Sequence, residues 1–152
     1  MTPKHDLVRR EDRRWAELRE LTGELTVEHA ITDGYQPGWS IKDLLAHLAC
    51  WNAQAATALE QIRLGTYRGF DRTEDEANEE WYRACRHLAL DACWAELHAA
   101  RARLLEELDR LPEEHLAPGT PAWSWFEGCA IRHHDDHSPR LREWLEQLEI
   151  PV

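Results

Sequence analysis

No stretch of this chain alternates Val, Ile or Thr with polar residues for long enough to form a half-buried strand, so no sheet is expected. Nowhere do 18 apolar residues run together, which leaves no candidate for a membrane span. The opening Met1-Thr2-Pro3-Lys4-His5-Asp6 begins no apolar run of the signal-peptide kind, and a cytoplasmic protein is expected. Bases are in deficit: 18 Lys and Arg stand against 29 Asp and Glu, a net charge of -11. Nucleic-acid binding draws on surplus cations that displace counterions, so no nucleic-acid partner is expected and the acidity is assigned to solubility. Four cysteines, Cys50, Cys85, Cys93 and Cys129, form no CxxC pair. That spacing excludes a zinc ribbon and argues against a disulfide framework in a chain of 152 residues. Each lies in an apolar helical context, where cysteine acts as a small buried residue.

Gly and Pro are also scarce and cluster at 34–38, 65–69 and 118–121, with no low-complexity tract or repeat between them. A single domain over 1–152 is therefore expected, with helices filling the intervals. Aromatic usage is lopsided: two phenylalanines against eight tryptophans, spread over every segment. Indole carries a donor on a large apolar body, so it suits both an ordinary core and the wall of a partly polar cavity.

Leu7, Trp15, Leu18, Thr22, Leu25 and His29 recur at helical steps and predict a first helix over 4–30. Ser40 is a good N-cap for a second helix, with Asp43 as a capping-box partner, and that helix stops near Gly65. Thr73 or Asp71 caps a third over 74–87, interrupted near 88–90, where Asp91 can recap a continuation over 92–111. Pro112 ends it, one short extra turn follows at 112–116, and a last helix runs over 124–148. The expected fold is all-α: an up-and-down, antiparallel four-helix bundle.

Three of the nine histidines fall within five residues, in His133-His134-Asp135-Asp136-His137. At about 100° per residue, Ala130, His133, His137, Leu141, Trp144 and Leu148 share one face, so His133 and His137 belong to the inward stripe. His134 falls at its edge, and Asp135 and Asp136 point outward. His47 lies among the inward Leu44, Leu48 and Trp51 of the second helix. Taken alone it reads as a core histidine satisfied by one hydrogen bond. With His133 and His137 it completes three imidazoles from two helices, a facial site for a divalent ion with positions open to water. Arg101 sits amid Trp94, Leu97, Leu104 and Leu105. It reads either as an anchor for a substrate carboxylate, and so a candidate catalytic residue, or as a snorkelling side chain or ion-pair partner of a helical Glu.

Pro37-Gly38-Trp39-Ser40-Ile41-Lys42-Asp43-Leu44-Leu45-Ala46-His47-Leu48-Ala49-Cys50-Trp51 resembles the "GWSVKDLLAHLAxWE" element of the DinB/YfiT-like superfamily. The closing His133-His134-Asp135-Asp136-His137 with Leu141-Arg142-Glu143-Trp144-Leu145 is similar to the "HYxEHxxxIRxWL" of its ClbS/DfsB four-helix-bundle subgroup. Asn78 to Tyr82 and Leu104 to Leu116 also fit. The resemblance implies a divalent metal (Zn, Ni or Fe) held by His47, His133 and His137. It also implies a homodimer, which close contact through the alanine-rich faces of the second helix would permit. Relatives include transferases and isomerases that use a low-molecular-weight thiol, and the subgroup includes a hydrolase that opens a cyclopropane. Two departures touch the site. His134 stands where relatives often carry Tyr, and Gly128-Cys129-Ala130-Ile131 replaces a small polar stretch. His134 reads as a fourth ligand, a general base or a packing substitution.

Three functions fit the residues. The first is a metal-dependent transferase or hydrolase in which Trp39, Trp51, Trp81 and Trp144 shape a pocket for a small electrophilic substrate. The second is a binding or sequestration protein that holds a toxic small molecule in the same cavity without turnover. The third is a structural protein whose histidines belong to the core.

Overall fold

Ser40 and Asp43 form the expected capping box. The Ser40 hydroxyl accepts from the Asp43 N–H, and the Asp43 carboxylate accepts from the Ser40 N–H at 2.9 Å. They start the longest helix of the computed structural model, which describes residues 1–150. In chain order the helices are α1 (Pro3–Thr22), α2 (Val27–Ile31), α3 (Ile41–Leu64), α4 (Glu74–Cys85), α5 (Leu90–Arg110), α6 (Pro121–Glu127) and α7 (His133–Gln147). A 3-10 turn at Glu113–His115 follows α5, and a π-helical segment, Gly128–Arg132, joins α6 to α7. The fold is an all-α, up-and-down bundle. Among the described residues the one bridge of β type is an isolated pair, Gln36 with Trp39.

Two helices differ from the periodic reading. The stripe over 4–30 breaks at Gly23, because the Thr26 hydroxyl accepts from the His29 N–H and starts α2 afresh. A cap that satisfies an orphan N–H competes with a continuous helix, and four-residue periodicity cannot reveal it. The last helix is not uniform either. At 128–132 it widens to i→i+5 bonding, with the His133 N–H reaching the Gly128 carbonyl. The break between α4 and α5 falls at 86–89, close to its expected place. Ala89 is the N-cap without a side-chain bond, and the Asp91 carboxylate takes the Ala92 N–H at 2.8 Å. Thr73 rather than Asp71 caps α4.

α3 and α5 form the most extensive helix contact. Ala46, Ala49, Ala55, Ala56 and Ala58 are buried within the chain, where their small side chains admit the neighbouring helix closely. The alanines that offered a dimer contact are therefore largely used inside the protomer, and the homodimer expectation rests on the resemblance alone. The core divides into two clusters. One gathers Leu7, Leu59, Leu104, Leu108 and Phe126, and the other Tyr35, Leu44, Leu97, Leu141 and Leu145. Cys93 and Cys129 are buried, Cys50 and Cys85 half-buried, and all four are free thiols. No helix among the described residues is long and apolar enough to cross a membrane.

Candidate metal centre

Along α3, His47 falls between Leu44 of one cluster and Trp51 of the other. Along the last helical run, His133 and His137 fall between Ile131 and Leu141, passing from one cluster to the other in the opposite sense. The packing thus brings the three imidazoles to one level. His47 Nε2 lies 2.8 Å from His133 Nε2, and His137 Nε2 lies 3.1 Å from that same atom. Nitrogens each about 2.0–2.1 Å from one ion sit roughly 3 Å apart, so the spacing fits a divalent cation. The three residues could hold a metal ion.

Burial sets the charge state. Desolvation pushes His47 down to about 3 and His133 to about 2, and lowers His137 as well. Neutral imidazole is the form that ligates metal. In the unfolded chain these groups take protons below about 6.5, whereas burial in the folded protein disfavours the protonated form of each. The unfolded state therefore binds more protons in that window, and stability falls as pH drops below about 6.5. Each histidine held neutral contributes up to about 1.4 kcal/mol per pH unit. Chelator-treated protein should accordingly show a lower urea midpoint at pH 5 than at pH 7, and His133→Gln should flatten the fall. An unchanged midpoint would contradict this.

The histidines border a cavity of about 640 Å3 walled by Trp39, Trp51, Phe70 and Trp125, with Asn78, Glu74 and Arg132 as polar members. Trp39 meets His47 edge-on at 5.1 Å and stacks on Tyr82 at 5.5 Å. Trp51 donates its indole N–H to Asn78 Oδ1 at 2.8 Å. Trp81 stands behind Trp51, centroids 4.9 Å apart, and lines a crevice of about 10 Å3 beside His47 rather than the main cavity. The structure does not bring Trp144 to the site. Its ring packs against Gly34, and its buried indole N–H has no partner among the described residues.

His134 departs from its expected marginal place, since it is 7% exposed. α1 covers that side of α7, so the buried arc is wider than one stripe, and Arg14 and Glu17 of α1 lie near the ring. It is not one of the three converging imidazoles. Asp135 points outward to Arg14 at 3.0 Å, while Asp136 is exposed at the cavity rim. Arg101 resolves as an ion-pair partner. It forks onto Glu11 at 2.6 and 2.9 Å, reaches Asp12 at 2.9 Å and covers Trp15 at 4.7 Å. It is absent from the cavity lining among the described residues, and Glu11 is 5% exposed, so the pair closes α1 onto α5.

Trp125, Phe70, Arg132 and Tyr35 were not singled out by sequence reasoning. A signal existed for two of them. Trp125, Cys129, His133 and His137 form one row at steps of four, and Ser124, Gly128, Arg132 and Asp136 the next; all eight line the cavity. In a pure α-helix each such step drifts by about 40°. The wider π turn at 128–132 takes back part of that drift and keeps Trp125 on the histidine face. Phe70 and Tyr35 lie in loops, where no periodicity marks them. Cys129 lines the cavity, but burial pushes its thiol up to about 12, which disfavours the thiolate form.

Residues 12–137 match the family model of the mycothiol maleylpyruvate isomerase N-terminal domain. No curated protein matches the chain. Among solved structures, an uncharacterised protein from Escherichia coli UTI89 aligns with a TM-score of 0.82 at 19% identity, covering 98% of this chain and 96% of its own. The colibactin self-resistance protein ClbS, in complex with a double-stranded DNA, aligns with a TM-score of 0.78 at 16% identity over 95% of each chain. At such identities the likeness shows the fold. The second structure corrects the expectation that no nucleic acid is a partner, because a protein of this fold has been solved on DNA. Net charge alone does not exclude such a partner, because phosphate is met by local cations. Here Arg132, its side chain 65% exposed, lines the cavity, and Arg72 lies over Phe70 of the same lining. With a helical fold shared across such structures and a family model covering most of its length, the chain belongs to the mycothiol maleylpyruvate isomerase N-terminal domain family, within the DinB/YfiT-like superfamily.

Proposed function

We propose that this protein is a metal-dependent enzyme whose His47, His133 and His137 hold a divalent ion (Zn, Ni or Fe) at the wall of the aromatic cavity. Its substrate is a small electrophile, and the reaction is thiol-dependent transfer or metal-assisted hydrolysis. The observation that carries this reading is the convergence of three Nε2 atoms of half-buried histidines, 2.8 and 3.1 Å apart, on a cavity of about 640 Å3. When bound, the ion would polarise a thiol or water and lower its pKa. The chain's own residues supply the rest. Trp39, Trp51, Phe70 and Trp125 exclude water from the substrate's apolar face. Asn78 is oriented by the Trp51 indole, which leaves its amide NH2 to donate to a substrate oxygen. Burial disfavours the thiolate of the cavity cysteine, Cys129, and the reading takes its nucleophile from outside the chain. The family's description supports a low-molecular-weight thiol as its source.

A second reading is sequestration of a toxic small molecule without turnover. The fold shared with a self-resistance protein favours it, and contact with nucleic acid through the Arg132 and Arg72 side of the cavity belongs to it. Purification from medium supplemented with Zn, Ni and Fe separates the readings. The enzyme should retain about one equivalent of divalent ion per chain and, with a thiol and a panel of small electrophiles, complete many turnovers. Less than about a tenth of an equivalent would sink the metal reading. Consumption of one electrophile per chain and no more would favour sequestration.

A further inference from the structure

The turn at residues 33–38 lies outside every helix, yet it is held on all sides. The Gly34 and Tyr35 N–H groups both donate to the Trp39 carbonyl at 3.0 Å. Tyr82 of α4 donates to the Gly38 carbonyl at 2.6 Å, and Arg140 of α7 donates to the Gly34 carbonyl at 2.8 Å. From this turn Tyr35, wholly buried, places its hydroxyl 2.6 Å from Nδ1 of His137. The other nitrogen of that ring, Nε2, is the one that meets His133 Nε2.

Neutral imidazole carries one N–H. If Tyr35 donates to Nδ1, the proton of His137 sits on Nε2 and blocks the lone pair that a metal needs. If Tyr35 accepts from Nδ1–H, Nε2 is bare and faces the other two imidazoles. Resting on the metal reading above, we infer that Tyr35 is a positioning residue for the metal centre: its buried hydroxyl accepts from His137 Nδ1–H, fixing the ring's tautomer and tilt so that Nε2 is presented to the ion. The same turn carries Trp39, whose ring edge meets His47 at 5.1 Å. One clamped loop therefore orients ligands on two different helices. Outer partners of this kind set ligand orientation and basicity, and their loss weakens metal affinity by about 10–100-fold.

Tyr35→Phe removes one oxygen and keeps the buried ring. Zinc affinity by chelator competition should fall about 10–100-fold, the absorption bands of the cobalt-loaded protein should shift, and the metal-free thermal midpoint should stay close to wild type. In zinc-loaded wild type, a His137 Hδ1 proton protected from exchange with water should appear in long-range 1H–15N spectra, a readout that requires no variant. Equal zinc affinity in wild type and Tyr35→Phe, or an Hδ1 in fast exchange, overturns the role of Tyr35 while leaving the metal centre standing. A wild type that binds none of zinc, nickel and iron overturns both.

Discussion

His47→Ala is expected to remove stoichiometric metal from the protein while leaving the helical fold in place. His133 and His137 sit four residues apart on α7, and the third nitrogen comes from α3, 2.8 Å from His133 Nε2. Without it, two ligands on one helix face an open side. Affinity should drop by more than the about 100-fold that the loss of an outer partner costs. The variant should also lose the metal-dependent rise in thermal midpoint, because an ion bound to the folded state alone stabilises by mass action. Metal analysis and thermal scans with and without added zinc measure both effects. His134→Ala is the matched control. His134 is more deeply buried than any of the three but stands outside their cluster, so the variant should keep its metal. Loss of metal in His134→Ala as well would make it a fourth ligand and redraw the site.

Gly34→Ala is expected to cost more than about 3 kcal/mol of folding stability, the largest effect of a methyl group added at any of the glycines. Two costs add. Gly34 has φ +131, a conformation L side chains rarely adopt. A Cβ there would also lie 2.5 Å from Cη2 of Trp144, a rigid ring packed beneath the turn. Urea unfolding of Gly34→Ala measures the sum, and adding Trp144→Leu should recover the clash but not the backbone strain. The damage should reach the metal centre as well, since Gly34 precedes Tyr35 in the turn that holds His137. A loss below about 1 kcal/mol would show that the turn yields easily, contrary to its three clamps.

Much of the fold and of the histidine cluster is legible in the amino-acid sequence. Helical spacing and the Ser40–Asp43 box place α3 within a residue, the four-step rhythm puts His133 and His137 inward, and His47 follows from the leucines around it. The misses share a cause. A cap at Thr26 splits the first helix, a π turn re-phases the last, and α1 buries His134 from a side that one helix cannot see. Trp144 shares the stripe of His133 and His137, but it lies two turns further along α7, at the level of Gly34 instead of the cavity. Net charge is no test of nucleic-acid contact, because a sum over 152 residues says nothing about where the arginines stand.

By itself, then, the sequence determined the helices, their inward faces and three histidines able to share an ion. These are local properties, set by spacing along one chain segment and by the residues at its ends. Tertiary structure alone decided the aromatic walls from Phe70 and Trp125, the withdrawal of Arg101 into a pair with Glu11, and the meeting of Tyr35 with His137 across 102 positions of chain. Those depend on how helices and loops from distant segments pack together, and no periodicity encodes that.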